Sequence, residues 1–177
     1  SLSTPAQGTG RLGAGLQDQG FGSLQVANGG PGSLTVHLVS SQPSVVLLAS
    51  DAATPGQATL DVQVPVNGSS IGYFLQGVEG ASGTPTITAS ATGYTDGITN
   101  VTVVAPGFDL LSLPTTTTTL SPNSVFLVRL GAPNSGGTAL QAEQAIRAGG
   151  VAATATISNS NQAAAQLVTT TTTGQQV

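Results

Sequence analysis

Four amino acids are missing from this chain of 177 residues: Cys, Met, Trp and Lys. Without Cys it can form no disulfide bond, bind no zinc through thiolates and perform no thiol catalysis. Only 6% of the residues are charged, whereas an ordinary soluble domain has about 25%. Three Arg at a net charge of −4 cannot neutralise a nucleic-acid backbone, so we expect no nucleic-acid partner. No apolar run reaches the roughly 18 residues of a membrane span, so none is expected.

The composition nevertheless predicts a folded protein. Hydrophobic residues make up 38% of the chain and its mean hydropathy is +0.22, whereas disordered chains combine low hydrophobicity with high net charge. Much of the apolar content is Val, Leu, Ile and Ala interleaved with Thr and Ser, which favours β-strands. A hydroxyl-rich surface with few charges gains little solubility from repulsion, and it suits a protein that is assembled, glycosylated or anchored.

Several features predict an extracellular or cell-surface location. The chain begins at Ser1 and carries no charged and apolar leader, so we interpret it as processed or as a segment of a longer protein. Almost nothing in it is oxidisable, and three Arg leave few sites for trypsin.

Apolar and polar residues alternate in short segments between residues 33 and 105. Gly, Pro and Asn separate these segments every 8–12 residues or so, which is typical of an antiparallel β-sandwich. The predicted strands lie at 33–41, 45–49, 57–66, 70–78, 86–91 and 98–105. The side chains expected to point inward are Leu34, Val36, Leu38, Ala58, Leu60, Val62, Val64, Val66, Ile71, Tyr73, Leu75, Ile87, Ala89, Ala91, Val101 and Val103. Residues 1–105 are therefore predicted to form one domain, with 1–10 as an extended or linking arm.

A second, partial module is predicted over residues 106–177. Strands are expected near 108–113, 124–131, 151–158 and 163–170, with a fifth at 171–177 if the chain stays extended. Residues 138–148 are the one helix-like insert, because Glu143 lies four residues before Arg147 in the favourable order. A polar excursion between strands is the alternative. The Thr runs 115–119 and 169–173 are predicted to be strands or strand edges, with an exposed linker as the alternative.

Three segments resemble a known family. The sequence PTITASATGYTDG at 85–97, followed by Val101-Thr102-Val103, resembles the last two strands of bacterial immunoglobulin-like domains. Residues 40–45 resemble that family's turn between the second and third strands, and 64–70 resemble its mid-domain turn. Such modules repeat in tandem in large secreted or surface-anchored proteins, including invasin- and intimin-type adhesins. The resemblance implies an all-β fold of antiparallel immunoglobulin-like β-sandwiches in tandem, the second one incomplete.

The residues that could carry chemistry do not form a catalytic pattern. His37 is the single imidazole, it is expected on the solvent face of its strand, and no Gly-x-Ser-x-Gly motif accompanies it. The seven carboxylates are scattered singly; Asp51, Asp96 and Asp109 could meet at a module junction to bind calcium, which needs several oxygen ligands. We therefore predict no enzyme, no catalytic residue, no cofactor and no metal site. Asn67-Gly68-Ser69 and Asn100-Val101-Thr102 fit the glycosylation acceptor.

The sequence therefore favours a structural protein. We expect a repeat module that builds a filament, stalk or surface layer by strand-mediated, head-to-tail self-association or with neighbouring modules of a longer chain. The alternative is an adhesin-type module for a glycan or host protein. Because the second module has too few strands to close a sandwich, it should expose apolar surface and open strand edges that attract another strand. Residues 1–21 are the candidate donor of that strand.

Overall fold

The computed structural model describes residues 2–3, 10–19, 23–26, 32–118, 120–169 and 173–174. Within these ranges the protein is all-β: it contains strands and no helix. The strands are β1 (Leu2–Ser3), β2 (Arg11–Gly13), β3 (Leu16–Asp18), β4 (Ser23–Val26), β5 (Leu34–Ser40), β6 (Val46–Ala49), β7 (Thr59–Val64), β8 (Ser70–Gly72), β9 (Phe74–Gly77), β10 (Thr86–Ser90), β11 (Gly97–Asn100), β12 (Thr102–Val104), β13 (Gly107–Leu111), β14 (Leu127–Pro133), β15 (Leu140–Glu143), β16 (Ala145–Ile146), β17 (Leu167–Val168) and β18 (Thr173–Gly174).

One four-stranded antiparallel sheet has the order β11-β10-β5-β7. Its register places Val36 opposite Val62 and Leu38 opposite Leu60. Val36, Leu38, Val62, Val64, Ile87 and Ala89 are all buried, and Leu34 and Leu60 pack against them. The inward sets predicted from the alternation are therefore confirmed, except at Val66, which is 54% exposed because it lies beyond the end of β7 at Val64. A slip of one residue would expose each set, so the core fixes the register of each strand.

A second four-stranded sheet has the order β16-β3-β9-β6, and it shares a hydrophobic core with the first. Val46, Leu48 and Leu75 from this sheet lie in the same cluster as the apolar side chains of β5, β7 and β10. The chain passes from β5 to β6 through a turn, in which Val45 N donates to Gln42 O.

Two of the predicted strands are each divided between two sheets. The predicted strand 70–78 breaks at Tyr73, since β8 pairs with β4 whereas β9 pairs with β3 and β6. The predicted strand 98–105 breaks at Val101, since β11 pairs with β10 whereas β12 runs parallel to β2. Tyr73 and Val101 are both buried, as predicted, so each break bends the strand without removing its side chain from the core.

The N-terminal segment belongs to the folded core. Leu2, Leu12, Ala14 and Leu16 are buried, and Leu2 pairs with Val26 in the sheet β1-β4-β8. The prediction that residues 1–21 are free to act as a donor strand is wrong for 2–3 and 11–18, because these already pair within the chain. Residues 4–9 and 20–21 lie outside the described ranges.

The helix-like insert at 138–148 is also wrong: this segment forms β15 and β16. Its alternation fits a strand as well as a helix, and a ten-residue helix gains little stability from propensity alone. Glu143 and Arg147 do not pair, because Arg147 binds Glu79 instead. Gly131 permits the close approach of β14 to β15, since a Cβ there would lie 2.0 Å from Ala142 O.

The remaining C-terminal predictions are confirmed in part. β13 and β14 lie close to the predicted positions, and β17 and β18 form a two-stranded pair. Residues 151–157 contain no strand. Residues 115–118 of the first Thr run contain none either, and they are exposed, in agreement with the alternative of an exposed linker. Thr119 and residues 170–172 of the second run lie outside the described ranges.

The first test addresses the shared core. Val62 is 5% exposed, so Val62→Asp buries an unpaired carboxylate at a cost of several kcal/mol, on the order of the whole stability of a domain. We expect this variant to be unfolded by circular dichroism. The control Gln63→Asp changes an exposed position on the opposite face of β7 and should fold normally. A folded Val62→Asp would contradict the described core.

A second test concerns the fully buried Tyr73, whose hydroxyl has no hydrogen-bond partner in the described structure. Burial raises the pKa of Tyr73 to about 12 from its usual 10. Above pH 10 the unfolded state ionises first, so stability falls as the pH rises from 10 to 12, by about 1.4 kcal/mol per unit. Near pH 7, Tyr73→Phe should be as stable as the wild type or more stable. In urea unfolding between pH 10 and 12, it should lack the fall in stability that the ionisation of Tyr73 causes. If stability fell by the same amount in Tyr73→Phe, the assignment of this fall to Tyr73 would be wrong.

Candidate association surface

On one face of the sheet β13-β14-β15 the opposed residues of β13 and β14 are all apolar, whereas the other face combines Asp109 and Arg129 with the exposed pair Leu111 and Leu127. Phe108 lies opposite Leu130 and Leu110 lies opposite Val128, and directly opposed residues of antiparallel strands share a face. Phe108 is 48% exposed, Leu110 43% and Val128 38%. We call Phe108, Leu110, Val128 and Leu130 the apolar face.

The charges of β13 and β14 lie on the other face. Asp109 is opposite Arg129, and two hydrogen bonds of 2.9 and 2.6 Å join the guanidinium to the carboxylate. The hydrogen bond from Arg129 is the main reason that the pKa of Asp109 lies below its usual value. The single charge of each strand is thus neutralised by its partner and directed away from the apolar face.

A groove continues the apolar surface beyond the sheet. Its volume is about 580 Å³, and it lies between the segment that leads into β14 and the strand β17. Its apolar lining consists of Val125, Phe126, Val128, Ile157, Leu167 and Val168. No other layer of the described structure fills this space.

Exposed apolar side chains are concentrated in this part of the molecule. Of the twelve large hydrophobic side chains that are exposed in the described residues, ten lie between 108 and 168 and only Val66 and Ile98 lie elsewhere. The ten are Phe108, Leu110, Leu111, Leu113, Leu120, Val125, Leu127, Val128, Val151 and Val168. The apolar surface that the sequence predicted for an unfinished module is therefore present.

Polar contacts attach this region to β2, to β3 and to the segment that follows β9. Gln144 is 5% exposed; its Oε1 accepts from Gly13 N at 2.8 Å, and its Nε2 donates to Arg11 O and to Asp18 Oδ2. Arg147 donates two hydrogen bonds of 2.9 and 2.6 Å to the Glu79 carboxylate. The hydrogen bond from Arg147 is also the main cause of the lowered pKa of Glu79. Sequence analysis missed both contacts because the partners are far apart along the chain.

His37 lies on the exposed face of β5, as predicted. The structure adds a contact that sequence analysis missed: Asp61 lies opposite it on β7, with His37 Nδ1 2.6 Å from Asp61 Oδ1. The strand register could have revealed this pair. A carboxylate at Nδ1 is one of the two contacts of a catalytic triad, and no Ser hydroxyl of the described residues is hydrogen-bonded to the imidazole as the second.

The three Asp residues considered for calcium are not brought together. Among the described residues, no group of three or more His, Asp or Glu side chains is placed to hold a metal ion. Asp51 instead closes its own turn, where its Oδ1 accepts from Ala53 N and Thr54 N, and Asp109 pairs with Arg129.

The two glycosylation acceptors differ in their surroundings. Asn67 lies in an exposed turn with a positive φ of 59°, directly before Gly68. Asn100 lies at the end of β11, and its Oδ1 accepts a hydrogen bond from Thr86 Oγ1. Both side chains are exposed.

A polar hollow of about 500 Å³ lies beside Arg11. Amide and hydroxyl side chains line it, from Asn100, Thr102, Asn134, Ser135 and Gln141. It contains no aromatic ring on which a sugar could stack.

Comparison with known proteins identifies no relative. No family model matches the chain, and no curated protein matches it.

The described ranges contain no helix long and apolar enough to cross a membrane.

A third test concerns the Glu79–Arg147 pair. Glu79→Gln removes the charge but keeps the shape, so we expect a loss of about 0.5–1 kcal/mol for this partly exposed pair. The β16 amides should then exchange hydrogen faster. Because the folded pKa of Glu79 is lowered, the contribution of the pair is present above its unfolded pKa and is lost as the pH falls through the folded value. Asp96→Asn is the control. If the β16 amides exchange hydrogen at the same rate in both variants, the Glu79–Arg147 pair does not hold β16 in place.

Proposed function

We propose that this chain is a structural, non-catalytic extracellular module. It assembles head to tail through strand contacts into a filament, stalk or surface layer. Its fold is best interpreted as an immunoglobulin-like β-sandwich followed by an incomplete second module of the same kind. The residues that matter for this function are those of the apolar face and the strand edges beside it.

The observation that carries this proposal is the uneven distribution of apolar side chains. Among the described residues of 2–104, only Val66 and Ile98 expose a large apolar side chain and most of the others lie in one shared core, whereas residues 108–168 expose ten. Monomeric proteins rarely expose large contiguous apolar patches, and such patches mark interaction sites. An incomplete module gains stability when a neighbouring copy covers it.

The arrangement of the sheets supports the immunoglobulin-like interpretation. Two antiparallel four-stranded sheets pack on one core, and the chain changes sheets between β5 and β6 and again at the two divided strands. The strand β2 runs parallel to β12, near the beginning and the end of this unit. These features agree with the motifs at 40–45, 64–70 and 85–103 that resemble bacterial immunoglobulin-like domains.

The chemistry of the surface supports an assembled, extracellular state. With 6% charged residues, copies of the chain repel one another weakly. The charges of β13 and β14 form the internal pair Asp109–Arg129, and Glu143 of β15 lies opposite Gly131 on the same, charged face, away from the apolar face.

The adhesin alternative has less support. A glycan-binding site usually offers aromatic rings for stacking, and the polar hollow beside Arg11 offers none. The exposed ring of Phe108 lies on the apolar face, where it suits a protein strand.

A fourth test measures assembly directly. We expect the intact chain to scatter light increasingly with concentration and to form filaments in electron micrographs. The double variant Phe108→Ser and Leu110→Ser should remain monomeric, because it removes exposed apolar area that only assembly buries. The matched control is Ile98→Ser, which alters an exposed apolar residue on β11.

The intact chain must assemble for this proposal to stand. A monomer at millimolar concentration would reject the structural function. Equal assembly of the double variant and the wild type would reject the apolar face as its site.

A further inference from the structure

Residues 151–157 have the sequence of a strand but not the pairing of one. Val151, Ala153, Ala155 and Ile157 alternate with Ala152, Thr154 and Thr156, the period-2 pattern of a β-strand. The structure assigns no strand there, and most of the segment is exposed. Residues 152–156 make no backbone hydrogen bond within the described structure.

The two ends of this segment are fixed to its own molecule. Val151 N donates to Glu79 Oε1 at 3.3 Å, next to the Arg147 pair. Ile157 lines the apolar groove together with Phe126 and Val128. The segment is therefore presented at the surface with its backbone groups available.

The strand β13 has an open edge, which is what an unpaired, strand-like segment needs. It pairs with β14 on one side, and no described strand pairs with its other side. Open edges of this kind are templates for another strand, and proteins usually protect them with charge. The one charge of β13, on Asp109, is held by Arg129 on the far face, so this edge has no such protection.

The chemistry of the two segments is compatible. Residues 151–157 carry no charge, so nothing repels them from β13. A strand added beside β13 would place its alternate apolar side chains next to Phe108 and Leu110, which are about half exposed. The other open edges suit this strand less well; β7, for example, directs Thr59, Asp61 and Gln63 to solvent and already buries Val62 and Val64.

We propose that residues 151–157 of one copy of this chain add as a strand to the β13 edge of the next copy. This inference rests on the proposed function and names the two surfaces that perform it. Donor and acceptor are different surfaces of one molecule, so the contact is heterologous and propagates as an open polymer. Backbone hydrogen bonds supply the affinity, and the apolar side chains fix the register.

The test uses the full chain and a proline scan. Thr154→Pro removes a backbone N–H at the centre of the donor, so it should reduce assembly at least tenfold in light scattering. Thr116→Pro is the matched control, since Thr116 is exposed in another segment without strand structure. At concentrations too low for the wild type to assemble, thermal unfolding of both variants should match the wild type, because neither position pairs within the described structure.

A disulfide cross-link tests the same contact without a proline substitution. Because the wild-type chain contains no Cys, any disulfide must join the introduced residues. Chains carrying Leu110→Cys are mixed with chains carrying Ala153→Cys or Ala155→Cys and oxidised. We expect mixed disulfide dimers by intact mass, and none when Ile98→Cys replaces Leu110→Cys.

The outcomes separate the two proposals. If the wild type assembles and Thr154→Pro does so equally, or if no mixed dimer forms, the donor and acceptor named here are wrong while the structural function stands. If the wild type never assembles, both proposals are wrong.

Discussion

Each apolar face of a sheet must be covered by another layer, and this chain has enough layers for only one core. The two four-stranded sheets cover one another, and the core that they share contains seventeen buried apolar side chains. The sheet β13-β14-β15 has no such partner, and of the large apolar side chains on its strands none is buried; only the small Ala132 is. The exposed surface, the open edge and the proposed assembly all follow from this imbalance.

The proposed assembly requires that the uncovered sheet be held firmly against the main core. Gln144 satisfies buried backbone groups of β2, and the Glu79–Arg147 pair secures the segment immediately after it. Because a buried polar group that loses its partner is costly, these contacts resist detachment. The apolar face is thus presented in a fixed position relative to the main core, as a subunit of an ordered polymer requires.

Sequence patterns predicted the local structure of the core well. The alternation of Val36, Leu38, Val62 and Val64 determines which face is buried, and the structure confirms it. The patterns could not show where a strand changes sheets, because Tyr73 and Val101 continue the alternation through each break. They also misassigned 138–148, where the apparent Glu143–Arg147 pair suited a helix and the true partner of Arg147 was 68 residues away.

The exposed apolar surface proposed for association was predictable in kind but not in detail. Counting strands in 106–177 revealed that a sandwich could not close, and the exposed Phe108 and Leu110 agree with this. The donor assigned to residues 1–21 was wrong for the described residues 2–3 and 11–18, because the burial of Leu12 and Leu16 depends on distant pairings with β12 and β9 that local patterns do not encode.

The most direct measurement is residue-resolved hydrogen exchange of the intact chain over a range of concentrations. If copies associate through β13 and the segment 151–157, amide protection at 107–111 and at 152–156 should rise together with concentration, while protection of β5 and β10 stays constant. Protection that is independent of concentration at both segments would contradict the account.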